Sequence, residues 1–127
     1  MIMAVKFYRC PHCGNIIIKV VDKGVPVMCC GQKMEELIPS SVDASVEKHV
    51  PVITKDGNTV KVAVGSVAHP MAEEHFISTV VLETSSGIQI ADLKPGDAPE
   101  AAFAVIDGAE VIAAYAYCNL HGLWISE

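Results

Sequence analysis

The sequence predicts an all-β protein in two parts: a small metal-stapled N-terminal domain, then a seven-stranded immunoglobulin-like β-sandwich. Three observations lead there. Short β-branched and aromatic runs recur between Gly, Pro, Asn and Asp punctuation. No capping residue opens a sustained apolar run of helical period. Four of the five cysteines fall between Cys10 and Cys30, whereas four of the five histidines lie beyond them.

In chain order, strands are expected over residues 5–9, 16–21 and 26–29, separated by the Cys10-Pro11-His12-Cys13-Gly14 turn and by Asp22-Lys23-Gly24. So few apolar residues cannot form a core. A unit of this size needs a staple, and ligation of a metal supplies folding free energy directly. From 38 to 46 the composition turns polar and unpatterned, which suits a linker. The expected domains are therefore 1–37 and 38–127.

In the second domain, strands are expected over 50–54, 59–64, 76–83, 88–93, 101–106, 111–117 and 123–126. Asp56-Gly57, Ser86-Gly87 and Asp107-Gly108 mark turns between them, as does the 94–99 stretch containing Pro95, Gly96 and Pro99. About seven strands in roughly eighty residues is the count of a sandwich.

The totals narrow the function. A formal charge of −6 on 127 residues argues against nucleic acid, whose binding rests on clustered Lys and Arg. The longest apolar runs fall far short of the roughly 20 residues of a spanning helix, and the start of the chain lacks a signal-type apolar segment. No membrane partner and a cytoplasmic location are expected. In a reducing compartment, five cysteines point to metal or redox chemistry and away from disulfides.

Cys10, Cys13, Cys29 and Cys30 form a C-x-x-C followed by an adjacent pair, four soft thiolates suited to tetrahedral iron or zinc. Neighbouring cysteines can share one ion only with some distortion. His12, inside the first turn, reads as a solvated residue because four thiolates already close the shell.

The remaining inventory is His49, His69, His75 and His121 with one cysteine, Cys118. His49 falls just before an expected strand and His69 and His75 bracket the stretch between two others, while Cys118-x-x-His121 lets two side chains reach one ion from a tight loop. Four imidazoles and a thiolate leave a sixth octahedral position open, the arrangement of a reactive centre. These ligand types do not by themselves select iron over copper or zinc.

Glu47-Lys48-His49-Val50-Pro51, Val67-Ala68-His69-Pro70-Met71 and Tyr117-Cys118-Asn119-Leu120-His121-Gly122, together with Cys29-Cys30-Gly31 and the stretch 8–14, resemble the desulfoferrodoxin family, the two-iron superoxide reductases. The resemblance spans nearly the whole chain. It departs at Phe76 and Thr79, where the family carries tryptophans after the residue matching His75.

The resemblance implies two Fe ions per chain. Cys10, Cys13, Cys29 and Cys30 would hold a rubredoxin-like iron in a desulforedoxin-type domain that helps pair two subunits into a homodimer. His49, His69, His75 and His121 would bind the second iron in a plane, with Cys118 axial and the opposite face open to superoxide. Reduction to hydrogen peroxide is the implied reaction, with a donor such as rubredoxin. Lys48 would attract the anion, and Glu47 resembles the glutamate that fills the open position after peroxide leaves. Two other classes fit parts of the pattern. An electron-transfer or iron-handling protein explains the cysteines but not an open five-ligand centre, and a zinc-stabilised interaction module requires a colourless protein.

Overall fold

The computed structural model describes residues 5–126; residues 1–4, part of the stretch read for a signal segment, and Glu127 lie outside the described residues. The chain divides into two compact units, Met1–Ile38 and Pro39–Glu127.

The first unit contains β1 (Phe7–Arg9), β2 (Ile16–Ile18), β3 (Met28–Cys29), β4 (Gln32–Lys33) and β5 (Glu35–Leu37). β1 is the centre of an antiparallel sheet of order β2-β1-β5, and β3 with β4 forms a separate ribbon. β2 ends at Ile18, short of the expected residue 21, because Ile18 already pairs with Phe7, the first residue of β1. Beyond it, Lys19 turns inward: its Nζ donates to the Val25 carbonyl at 2.9 Å and to Asp22 Oδ1 at 3.2 Å, and Asp22 Oδ1 also accepts the Gly24 amide at 2.8 Å. Phe7, Cys10 and Met34 are the buried apolar side chains among the described residues of this unit, too few for a core of its own.

The second unit opens with α1 (Val46–His49), a helical turn that the sequence pattern does not announce. Seven strands follow: β6 (Pro51–Asp56), β7 (Thr59–Val64), β8 (Ile77–Thr84), β9 (Gly87–Asp92), β10 (Glu100–Ala104), β11 (Val111–Cys118) and β12 (Gly122–Ile125). They form two antiparallel sheets of order β10-β7-β6 and β12-β11-β8-β9, the expected immunoglobulin-like sandwich. Inward alternation on β7 sends Val60, Val62 and Val64 to the core, where they meet Ile77, Val80 and Leu82 of β8 and Ala114, Ala116 and Cys118 of β11. Each such Val, Leu or Ile contributes about 1.5–3 kcal/mol on burial. Cys118 thus ends a core-facing row, which fixes its sulfur as firmly as the sheet itself.

Two hairpin turns sit one residue away from their expected positions. Asp56 pairs with Thr59, so the β6–β7 loop is Gly57-Asn58, with Gly57 at φ 60° as the first central residue. Thr84 pairs with Gly87, so Ser85-Ser86 is the β8–β9 loop. The stretch expected to be a linker is stitched to β12: the Ser40 amide donates to the Leu123 carbonyl at 2.7 Å, and Ser40 Oγ accepts the Ile125 amide at 3.3 Å. Among the described residues, no helix is long and apolar enough to cross a membrane.

Candidate metal centres

The four cysteines of the first unit come from two turns. Cys10 and Cys13 bracket the turn after β1, which closes through Gly14 N–H to the Cys10 carbonyl at 3.0 Å and Cys10 N–H to the Asn15 carbonyl at 2.9 Å. Cys29 ends β3 and Cys30 begins the two-residue loop before β4. Cys30 and Gly31 both have left-handed backbones, φ 52° and 75°, as a type I′ turn requires. That turn is how adjacent cysteines reach one point: Cys29 presents its sulfur from the strand end and Cys30 from the reversed backbone.

The four sulfur atoms lie within 4.8 Å of one another. Backbone and side-chain N–H groups already face them: Cys13 N–H to Cys10 Sγ at 3.5 Å, Asn15 N–H to Cys13 Sγ at 3.5 Å, and Asn15 Nδ2 to Cys29 Sγ at 3.7 Å. The Cys13 amide aimed at it holds the Cys10 thiol down to about 6. The neighbouring sulfurs of Cys13 and Cys10 push Cys30 up to about 12 and raise Cys29 as well. Thiolates crowded this closely repel one another, and a cation at their centre would relieve that repulsion. The donor set fits a tetrahedral metal. His12 is exposed and stands apart from the cluster.

In the second unit, His49, His69, His75 and His121 stand like four blades about a common point. Centroids of successive rings are 4.7 Å (His49–His69), 4.7 Å (His69–His75), 5.2 Å (His75–His121) and 4.9 Å (His49–His121), each pair nearly perpendicular. The diagonal His49–His75 is 6.4 Å, as expected for four rings arranged roughly in a square. His49 Nε2 lies 3.3 Å from His69 Nε2 and 3.1 Å from His121 Nδ1. Cys118 Sγ is 3.8 Å from His121 Nδ1, and one donor atom each from His49, His75, Cys118 and His121 falls within 4.8 Å of the others.

Ring tautomers are set from behind. His49 Nδ1 donates to the Ser45 carbonyl at 2.6 Å and His69 Nδ1 to the Pro70 carbonyl at 2.7 Å, which leaves both Nε2 lone pairs facing inward. His75 Nε2 is buried with no hydrogen-bond partner, an orphaned acceptor that a metal would satisfy. Burial holds His69 down to about 4 and lowers His49, so both rings are neutral and ready to ligate at pH 7. Burial raises the Cys118 thiol, against the Leu120 and His121 amides that favour the thiolate. These residues, too, fit a metal.

The desulfoferrodoxin family model matches residues 41–127. A desulfoferrodoxin from Nitratidesulfovibrio vulgaris is 46% identical over 122 residues, covering 96% of this chain and 95% of that relative. The solved superoxide reductase from Treponema pallidum is similar at a TM-score of 0.84 and 38% identity, covering 98% of this chain and 100% of that one. A superoxide reductase (1Fe-SOR) from Giardia intestinalis gives 0.53 and 35%, covering 63% of this chain and 95% of its own.

The chain belongs to the desulfoferrodoxin family.

Several residues that shape this family member's centres carry no signal in a single sequence. Gly65 is one: a Cβ there would lie 2.6 Å from the Glu47 carbonyl oxygen and 2.9 Å from that of Val50. Its bareness lets the end of β7 press against α1, where the Val67 amide donates to the Glu47 carbonyl at 2.9 Å. Trp124 is another, stacked on His49. Glu47 and Lys48 are exposed on the helical turn that presents His49.

Proposed function

We propose that the chain is a superoxide reductase carrying two irons. The observation that carries this reading is the convergence of four imidazoles and one buried thiol at one end of the sandwich. Cys10, Cys13, Cys29 and Cys30 hold one iron; His49, His69, His75, His121 and Cys118 hold the other. Superoxide takes up one electron and two protons and leaves as hydrogen peroxide.

Ferrous iron, when bound in the second centre, supplies that electron. The protein contributes charge and shape. Neutral imidazoles leave the centre cationic, and the single thiolate adds electron density, the lever that tunes thiolate-ligated haem iron. Lys48, exposed beside His49 in an acidic chain, attracts the anion, an effect that weakens with salt. Glu47, exposed on the turn that carries His49, would supply a carboxylate able to take the product's place once peroxide has left. His75 and His121 are half-buried, so substrate need not cross the core.

The electron donor is a small redox protein such as rubredoxin, a choice supported by the exposure of Cys13 and Cys30 at the first centre. Two copies pair through the first unit, whose Val20, Val21 and Val25 are apolar and exposed. A cytoplasmic location agrees with five cysteines free of disulfides.

The test is iron content per chain and the visible spectrum before and after superoxide, with reduced rubredoxin as donor. Two irons with distinct spectra, donor oxidation matching superoxide consumed, and no oxygen release are expected. Zinc alone, or iron that superoxide does not oxidise, would overturn the reading.

A further inference from the structure

His49 and His69 are oriented by bonds to their own rings, but the Nε2 of His75 has no partner among the described residues, and its loop is tied through the backbone. The His75 amide and carbonyl are both taken by Ala72, at 3.1 and 3.0 Å. What fixes the residues on either side of His75 is Asn119. Its Oδ1 accepts the Phe76 amide at 2.9 Å, its Nδ2 donates to the Glu74 carbonyl at 3.1 Å, and its own amide donates to the Phe76 carbonyl at 3.2 Å.

The β8–β11 ladder reaches Cys118 opposite Ile77 after a register shift at Tyr117/Cys118. One residue further on, the Asn119 carboxamide offers the donor and acceptor that a continued strand would have offered. It therefore grips the His75 loop from the residue adjoining Cys118.

We propose that Asn119 is a positioning residue that sets the placement of the His75 imidazole relative to the Cys118 sulfur, and through it the electronic properties of the second centre. The inference rests on the reading of His75 and Cys118 as ligands of one iron. Asn119 is exposed, so its bonds add little to global stability; their consequence is local. Asparagine suits the task because its carboxamide carries a separate donor and acceptor atom side by side on a short stem, one for each flank of His75. Aspartate keeps the acceptor for Phe76 and loses the donor to Glu74.

The test compares full-length, iron-loaded Asn119→Ala and Asn119→Asp with the parent protein. Read out are the thiolate-to-iron charge-transfer band, the midpoint potential of the second centre and the rate at which a chelator strips each iron. Thermal unfolding checks the fold. Asn119→Ala should displace the band and the potential and speed loss of the second iron about 10-fold or more, the scale of lost outer-shell support. The first centre's spectrum should stay unchanged, and Asn119→Asp should fall between Ala and the parent. If Asn119→Ala does not accumulate folded, Asn119→Asp carries the test: a displaced band supports the role, an unmoved one overturns it. A folded Asn119→Ala with the parent's band, potential and stripping rate also overturns it. A parent protein with no thiolate band at all would refute the two-iron reading instead.

Discussion

The imidazole of His49 and the indole of Trp124 lie stacked, ring centroids 4.9 Å apart and planes 29° from parallel. The same indole donates its Nε1–H to the His121 carbonyl at 3.0 Å, so one buried side chain of β12 steadies two of the four imidazole-bearing segments.

Trp124→Ala is therefore expected to cost about 3–5 kcal/mol in denaturant unfolding and to release the second iron. Trp124→Phe keeps a stacking face, loses about 1 kcal/mol with the N–H bond, and retains both irons. Metal analysis beside urea titrations checks the contrast; equal iron loss in both variants would contradict it. Trp124 is also the sole tryptophan, so its emission should respond when ferrous iron fills the imidazole site of metal-free protein.

Gly65→Ala places a methyl group 2.6 Å from the Glu47 carbonyl oxygen, against backbone that cannot rotate away. Overpacking of this kind costs about 1–3 kcal/mol. Here it also displaces α1, so the variant should lose iron from the second centre and keep the four-thiolate spectrum. Loss of both centres together would show a general folding defect.

Cys118→Ser leaves the β11 register intact and removes the one anionic donor. Even outer-shell changes cost 10–100-fold in comparable sites, so superoxide reduction should fall about 100-fold or more. An iron-loaded variant reducing superoxide at the parent rate in pulse radiolysis would disprove the thiolate's role.

Acid should weaken the metal-free protein through its buried imidazoles. His69 sits at about 4 in the fold against an ordinary 6.5, and His49 is lowered by the same burial. Below about 6.5 the unfolded chain binds protons that the folded chain refuses, so stability present above that pH drains away as it falls toward about 4. Urea midpoints taken at about pH 7.5, 5.5 and 4.5 should decline in that order. A flat profile would show that these rings are not buried neutral.

Much of this architecture was legible in the residues. The β7 alternation of Thr59–Val64 gave both ends of that strand, because a sheet with one buried face writes its period directly into the chain. The cysteine and histidine sets were legible because metal ligands are rare, chemically distinct side chains. What escaped were features decided by partners distant in sequence. α1 is a single turn, held by the Gly65–His69 loop and not by any helical periodicity. Ser40 looks like linker until Leu123 and Ile125 bind it. The pairing of Cys29 with Cys30 needed the left-handed turn at Cys30-Gly31, a conformation that composition alone does not reveal.

Every donor of the thiolate centre precedes Ile38, and every donor of the imidazole centre follows Pro39. The two inorganic sites are thus written as consecutive, non-interleaved cassettes. A change confined to one stretch of the chain therefore leaves every candidate ligand of the other centre in place.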